Sequence, residues 1–188
     1  CTNISSTKMK QRIENIALGL SSLGIKRGDR AAILAPNSPE WTLVDGGCQF
    51  AGIIDVPIYT TLAAGAVNYM LTASGARVIF VEDHASYETL KDAIADGTQI
   101  ESVIIFDAAN LEAEGVMSLA ALEKLGSDKR TLSPESIIEM ASAVRPDDIA
   151  TLIYTSGTTG EPNGVMLSQT NLVSNAIDAA EKYSFTKD

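Results

Sequence analysis

The chain has 188 residues, is 45% hydrophobic and has a mean hydropathy of +0.10, which suits one packed core or part of a larger domain and excludes a disordered chain. Its 14 Lys and Arg stand against 24 Asp and Glu, a formal charge of −10, which argues against nucleic acid and against an electrostatic grip on anionic lipid. No apolar run is long enough to span a membrane, and two cysteines, Cys1 and Cys48, imply no disulfide framework, so a reducing cytoplasm is the expected location.

The first predicted helix covers residues 7–23. Ile13, Ile16, Ala17, Leu20 and Leu23 recur on one face, and Gly24 supplies a left-handed end. A short strand over 30–35 closes at Pro36-Asn37. Ser38-Pro39-Glu40 then starts a helix: Ser38 as N-cap, Pro39 in the first turn, Glu40 at the positive end of the dipole. That helix carries Trp41, Val44, Cys48 and Ala51 inward and stops near Gly52. A strand over 53–59 leads into a helix with Val67, Met70 and Leu71 inward, ended by Gly75. The third strand, 78–81, is apolar throughout, as expected when both faces are covered. His84 follows in a polar stretch with no partner at metal-ligand spacing and reads as solvent-facing. A helix over 87–95 and a strand over 102–106 come next.

Strands alternating with helices imply an α/β fold, a mostly parallel sheet covered by helices on both faces. Residues 107–115 read as an acidic surface loop and 118–125 as a short helix. Ser133-Pro134-Glu135 repeats the earlier start signal for a helix reaching Ala143, and 145–148 is a polar approach to the next strand. At the end, Thr170 or Asn171 caps a helix with Leu172, Val173, Ala176, Ile177 and Ala180 inward.

The chemistry concentrates in residues 149–171, IATLIYTSGTTGEPNGVMLSQTN. An apolar strand, 149–154, breaks into Thr155, Ser156, Gly157, Thr158, Thr159, Gly160, Glu161, Pro162, Asn163 and Gly164, and a second strand covers 165–167. Those ten residues hold four hydroxyls and three glycines, whereas a turn that only reverses the chain needs about two to five residues. Glycines bring backbone N–H groups close to a ligand, and hydroxyls add donors beside them, which suits the oxyanions of a phosphate chain. The Walker-type loop is excluded, because Gly160 and Gly164 are too close together and no Gly-Lys-Ser/Thr leads into a helix.

YTSGTTGEPNGVMLS resembles the phosphate-binding signature of the adenylate-forming superfamily, which includes acyl-CoA synthetases, nonribosomal adenylation domains and beetle luciferases. Two positions depart from it: Asn163 stands where the family normally has Lys, and Gln169 where it usually has His. AAILAPNSPEW, IIDVPIYTT, SGARVIFVE and RPDDIATLIYTSGTTG follow in the family's order, most like the N-terminal part of a long-chain fatty acid–CoA ligase.

The resemblance implies an ATP- and Mg²⁺-dependent enzyme. A fatty acid carboxylate attacks the α-phosphate of ATP, giving an acyl-adenylate and pyrophosphate, and coenzyme A thiol then releases AMP. Carried over residue by residue, Thr155, Ser156, Gly157, Thr158, Thr159 and Gly160 form the phosphate cradle. Asn163 takes the place of the Lys, and Gly164 lets the second strand pack closely. No complete catalytic set and no metal ligand falls among these residues. Residues 1–145 are expected to be an α/β subdomain and 146–188 a strand–phosphate loop–strand–helix unit. The family's later motifs and its small C-terminal domain have no counterpart here, so the chain alone is expected to complete neither half-reaction. A homodimer and peripheral membrane association of the full enzyme stay open, as do two alternatives: a non-catalytic family remnant serving as a binding module, and an adenylating enzyme for another carboxylic acid.

Overall fold

The computed structural model describes residues 4–107, 114–155 and 162–183. Among them seven strands form one sheet: β1 (Arg30–Leu34), β2 (Ile54–Pro57), β3 (Val78–Asp83), β4 (Ser102–Asp107), β5 (Val116–Ser118), β6 (Ile149–Thr155) and β7 (Asn163–Ser168). Their order is β5-β4-β3-β1-β2-β6-β7, parallel throughout except for the antiparallel β6–β7 hairpin.

The helices between the strands divide over two faces. On one face α1 (Ser6–Ser22), α2 (Pro39–Ala51) and α5 (Leu119–Leu132) cover Ala31, Ile33, Val78, Phe80 and Ile104. On the other, α3 (Ala64–Ser74) and α4 (His84–Ala95) cover Ala32, Leu34, Ile79, Val81 and Ile105. Neighbouring residues of β1, β3 and β4 alternate between the two clusters, as a period of two requires of a strand buried on both sides.

The helix boundaries follow local chemistry. The Ser38 hydroxyl accepts from the Trp41 N–H at 3.1 Å, and Gly52 ends α2 at φ 65°. Ser5 caps α1, with the Lys8 N–H 3.3 Å from its hydroxyl. At the far end of α1, Gly24 at φ 79° lets the Ile25 N–H reach back to the Leu20 carbonyl at 3.1 Å.

The structure corrects the sequence reading at four places. β5 falls in what read as loop and the start of a helix. It is a three-residue edge strand, too short to show a period. Ser133 does not open the next helix. It is the C-cap of a long α5, and α6 (Ser136–Ala143) begins after a turn in which the Ser136 N–H donates to the Ser133 carbonyl. His84 is exposed, as expected, but it is the first residue of α4, capped by the Asp83 carboxylate.

The last helix, α7 (Gln169–Tyr183), is capped by Ser168 rather than by Thr170 or Asn171. The Ser168 hydroxyl accepts from the Asn171 N–H at 3.3 Å, and the Asn171 side chain accepts from the Ser168 N–H at 2.9 Å. Its apolar stripe is not inward. Leu172 is half-buried, and Val173, Ala176, Ile177 and Ala180 are exposed, because no described element lies over that face. No described helix is long and apolar enough to cross a membrane.

Candidate functional site

The signature sits at the C-terminal end of β6, beside the edge of the parallel sheet. The expected strand–loop–strand arrangement is present, the first strand reaching one residue further into the motif and the second starting two residues earlier. β6 and β7 pair from Ile149 opposite Ser168 to Thr155 opposite Asn163. Of the expected cradle, Thr155, Asn163 and Gly164 are described, and all three are exposed at the mouth of the hairpin. Ser156, Gly157, Thr158, Thr159 and Gly160 lie outside the described residues.

Gly164 lies opposite Tyr154 in the ladder. A Cβ added there would come no closer than 3.4 Å to the Tyr154 ring, an ordinary contact. The Tyr154 ring lies over the bare backbone at this position. Nearby, the Tyr69 hydroxyl donates to the Pro162 carbonyl at 3.3 Å, which ties α3 to the residue just before the returning strand. Desolvation is the main cause that raises the Tyr154 pKa above the usual phenol value.

The base of the hairpin is fixed by segment 145–148. Asp148 accepts two bonds from the Arg27 guanidinium, at 2.7 and 2.5 Å, and one from the Arg145 N–H at 2.8 Å. These partners, Arg27 first, pull the Asp148 carboxyl down to about 2. The Gln169 N–H donates to the Asp148 carbonyl at 2.9 Å and the Thr170 N–H to the Pro146 carbonyl at 3.0 Å, so the first turn of α7 is pinned to the same segment.

Two features of the site escaped the sequence reading. The first is a cleft of about 430 Å³ lined by Pro36, Asn37, Trp41, Tyr59, Tyr154 and neighbours. The connection after β1 leads to α2 on one face and that after β2 to α3 on the other. Such a divergence opens a crevice at the C-terminal ends of parallel strands. Trp41, expected in the core, packs against it with part of its ring and lines this cleft with the rest. The second is a buried polar group, Asp55 with Gln49, in the run IIDVPI. The isolated carboxylate in that run was the available signal.

Among the described residues, no three His, Cys, Asp or Glu side chains are grouped to hold a metal ion. The donors described here therefore do not by themselves make a Mg²⁺ site. What the hairpin mouth offers is hydroxyl and amide hydrogen bonding at a strand end.

The family model for AMP-binding enzymes matches residues 2–188. The chain belongs to the AMP-binding enzyme family. It is 33% identical over 182 residues to a long-chain-fatty-acid–CoA ligase, FadD15, of Mycobacterium bovis, covering 97% of this chain and 29% of that protein. It is 34% identical over 177 residues to fatty acyl-CoA synthetase A of Dictyostelium discoideum, covering 89% of this chain and 25% of that one. Among solved structures, a long-chain-fatty-acid-CoA ligase from Archaeoglobus fulgidus superposes with TM-score 0.76 at 25% identity over 96% of this chain and 33% of its own. A Mycobacterium tuberculosis fatty acyl CoA synthetase does so with TM-score 0.74 at 29% identity, over 96% of this chain and 32% of its own. The chain thus spans roughly a quarter to a third of the length of these relatives.

Proposed function

We propose that this chain is the N-terminal, phosphate-gripping part of an ATP-dependent long-chain fatty acid–CoA ligase. The observation that carries the reading is the signature hairpin: hydroxyls and glycines between antiparallel strands, at the carboxyl edge of a parallel sheet, in a chain of the AMP-binding family. Thr155, Ser156, Gly157, Thr158, Thr159 and Gly160 hold the β- and γ-phosphates of ATP by hydroxyl and backbone donors, with Asn163 and Gly164 at the returning strand. Holding the leaving pyrophosphate in line while the fatty acid carboxylate attacks the α-phosphate is the main service such a loop can render.

The neighbouring cleft, walled by Trp41, Tyr59 and Tyr154, gives the non-phosphate part of a substrate an apolar surface beside the hairpin. Coenzyme A is the second substrate of the proposed reaction. Residues 1–145 and 146–188 are proposed as its sheet subdomain and its phosphate-loop unit. The isolated chain would bind ATP feebly and form no acyl-adenylate, since phosphate contacts alone leave the adenine, the ribose and the acid unheld.

One observation favours a second reading. Asn163 is neutral where the signature normally carries a cation, which suits a family remnant that binds without catalysis. Pyrophosphate exchange by the full-length protein, run with a panel of carboxylic acids, separates the two. Exchange that peaks with long-chain acids is expected. Exchange with no acid would establish the remnant, and a peak with short, aryl or amino acids would move the enzyme to another substrate class.

A further inference from the structure

One side chain in the sheet is out of keeping with its surroundings. Asp55 lies within β2, 2% exposed, in an otherwise apolar run. An apolar residue there would pack without desolvating a carboxylate, so Asp55 costs stability. Its position is also singular. β1 pairs with β2 through four register pairs and β3 with β4 through five, but the described β2–β6 ladder has one pair, Asp55 opposite Thr151. Asp55 therefore stands where the described register joins the signature hairpin to the rest of the sheet.

Gln49 stands one helical turn beyond Asp45 on α2. Its Nε2 faces Asp45 Oδ1 at 3.2 Å, Asp55 Oδ1 at 3.0 Å and the Ala150 carbonyl of β6 at 3.4 Å. Three oxygens on that side can be met only by the NH₂, so the amide oxygen points away from them. There it accepts from Nε2 of Gln169, the first residue of α7, at 2.8 Å. One amide thus joins α2, β2, β6 and the start of α7. The Thr151 hydroxyl, opposite Asp55 in the ladder, also faces that carboxylate, though without a bond of normal geometry.

We infer that Asp55, Gln49 and Gln169 form a clasp that sets the signature hairpin on the sheet, and that they are positioning residues for the phosphate loop. Thr155 stands four residues beyond Thr151, roughly 13 Å along a strand. A small shift of β6 at this pair is enlarged over that length, and a misplacement of about 1 Å at reacting groups can cost on the order of a hundredfold in rate. The clasp adds side-chain bonds from α2 and α7 across this register pair.

This inference rests on the adenylating function proposed above. Its test uses the full-length protein with Gln49→Met, Gln169→Met and both together, replacements that keep side-chain length and remove the amides, and with Gln169→His, which keeps an N–H donor toward Gln49. The readouts are pyrophosphate exchange and amide hydrogen exchange. Each Met variant is expected to lower kcat for exchange about three- to tenfold with the KM for the acid unchanged. The double variant should be no slower than the slower single, because a broken clasp cannot be broken twice. Gln169→His should stay within about twofold of wild type. Amides of β6 and β7 should exchange faster in the Met variants, and those of β3 should not.

Met variants within twofold of wild type, additive losses, or a parallel rise in the KM for the acid would overturn the clasp. Failure of the wild type to exchange pyrophosphate would instead overturn the functional reading. Amide exchange then decides the clasp by itself, and unchanged protection of β6 and β7 would refute it.

Discussion

At the scale of single residues, Asp55 and Asn163 make opposite demands on charge. Burial, and then the neighbouring Asp45 carboxylate, push Asp55 from 3.8 up to about 7, with the Thr151 and Gln49 side chains opposing only in part. The folded chain thus holds a proton that the unfolded chain releases above about pH 4. The associated stability is fully present below that pH, declines as pH rises toward 7 and levels off beyond. Each pH unit of that window is worth about 1.4 kcal/mol, so roughly 4 kcal/mol is at stake. Wild type should lose stability relative to Asp55→Asn between pH 5 and 8, measured by thermal unfolding of both proteins. Parallel curves would mean that Asp55 is ionised in the fold throughout. Asn163 presents the reverse case, a neutral exposed side chain where phosphate charge is proposed to gather. Two unit charges about 4 Å apart interact by roughly 4 kcal/mol at an effective dielectric near 20, and solvent reduces this to about 1–3 kcal/mol net. Asn163→Lys in the full-length protein should speed pyrophosphate exchange about tenfold at saturating acid, with an unchanged unfolding midpoint. Equal rates would show that the missing charge is immaterial.

At the scale of elements, α1 and α5 meet at their backbones. A Cβ built on Gly126 would lie 1.8 Å from the Asn15 carbonyl oxygen, and one on Gly19 would lie 2.4 Å from that of Leu122. The contact is locked at its rim, where Arg12 grips both oxygens of Glu123 and Arg130 reaches Glu14 at 3.0 Å. Because the obstacle is backbone, it cannot rotate aside, and Gly126→Ala should cost about 3 kcal/mol by forcing the helices apart. Gly65, in α3 with nothing within 4 Å of an added Cβ, is the control, where Ala should stabilise by about 0.5–1 kcal/mol. Unfolding midpoints of the two variants that fall together would contradict this view of the interface. None of this close approach could be read from the sequence, where Gly126 in KLGSD falls just past the predicted helix 118–125. What could be read were features that act locally. Ser38-Pro39-Glu40, the glycines at 24, 52 and 75, and the apolar strand 78–81 all specify their own conformation. β5 escaped because three residues carry no period. The Ser133 start signal failed because α5 ran on to meet it. The hairpin was legible from its chemistry, but its clasp was not, since Asp45, Gln49, Asp55 and Gln169 come together only once the sheet order brings β6 beside β2.

At the scale of the whole molecule, the described surface is uneven. The sheet from β5 to β2 is covered on both faces, whereas Val165 and Met166 on β7 and Val173 and Ile177 on α7 are 44–64% exposed. Polar anchoring is arranged in the opposite sense. The Arg27–Asp148 pair, the Gln169 and Thr170 N–H groups and the Gln49 amide hold the hairpin at its base, and the Tyr69–Pro162 bond ties it nearer the mouth. A frame bonded mainly at its base suits a phosphate chain gripped mainly by hydroxyls and backbone donors. Pyrophosphate exchange with a long-chain acid, compared between the full-length wild type and Thr158→Val, tests that account most directly. Loss of one hydroxyl proposed to grip the departing phosphates should slow exchange by about a hundredfold at saturating acid, with the KM for the acid unaltered. A Thr158→Val protein that exchanges at the wild-type rate would show that the nucleotide's phosphates are held elsewhere.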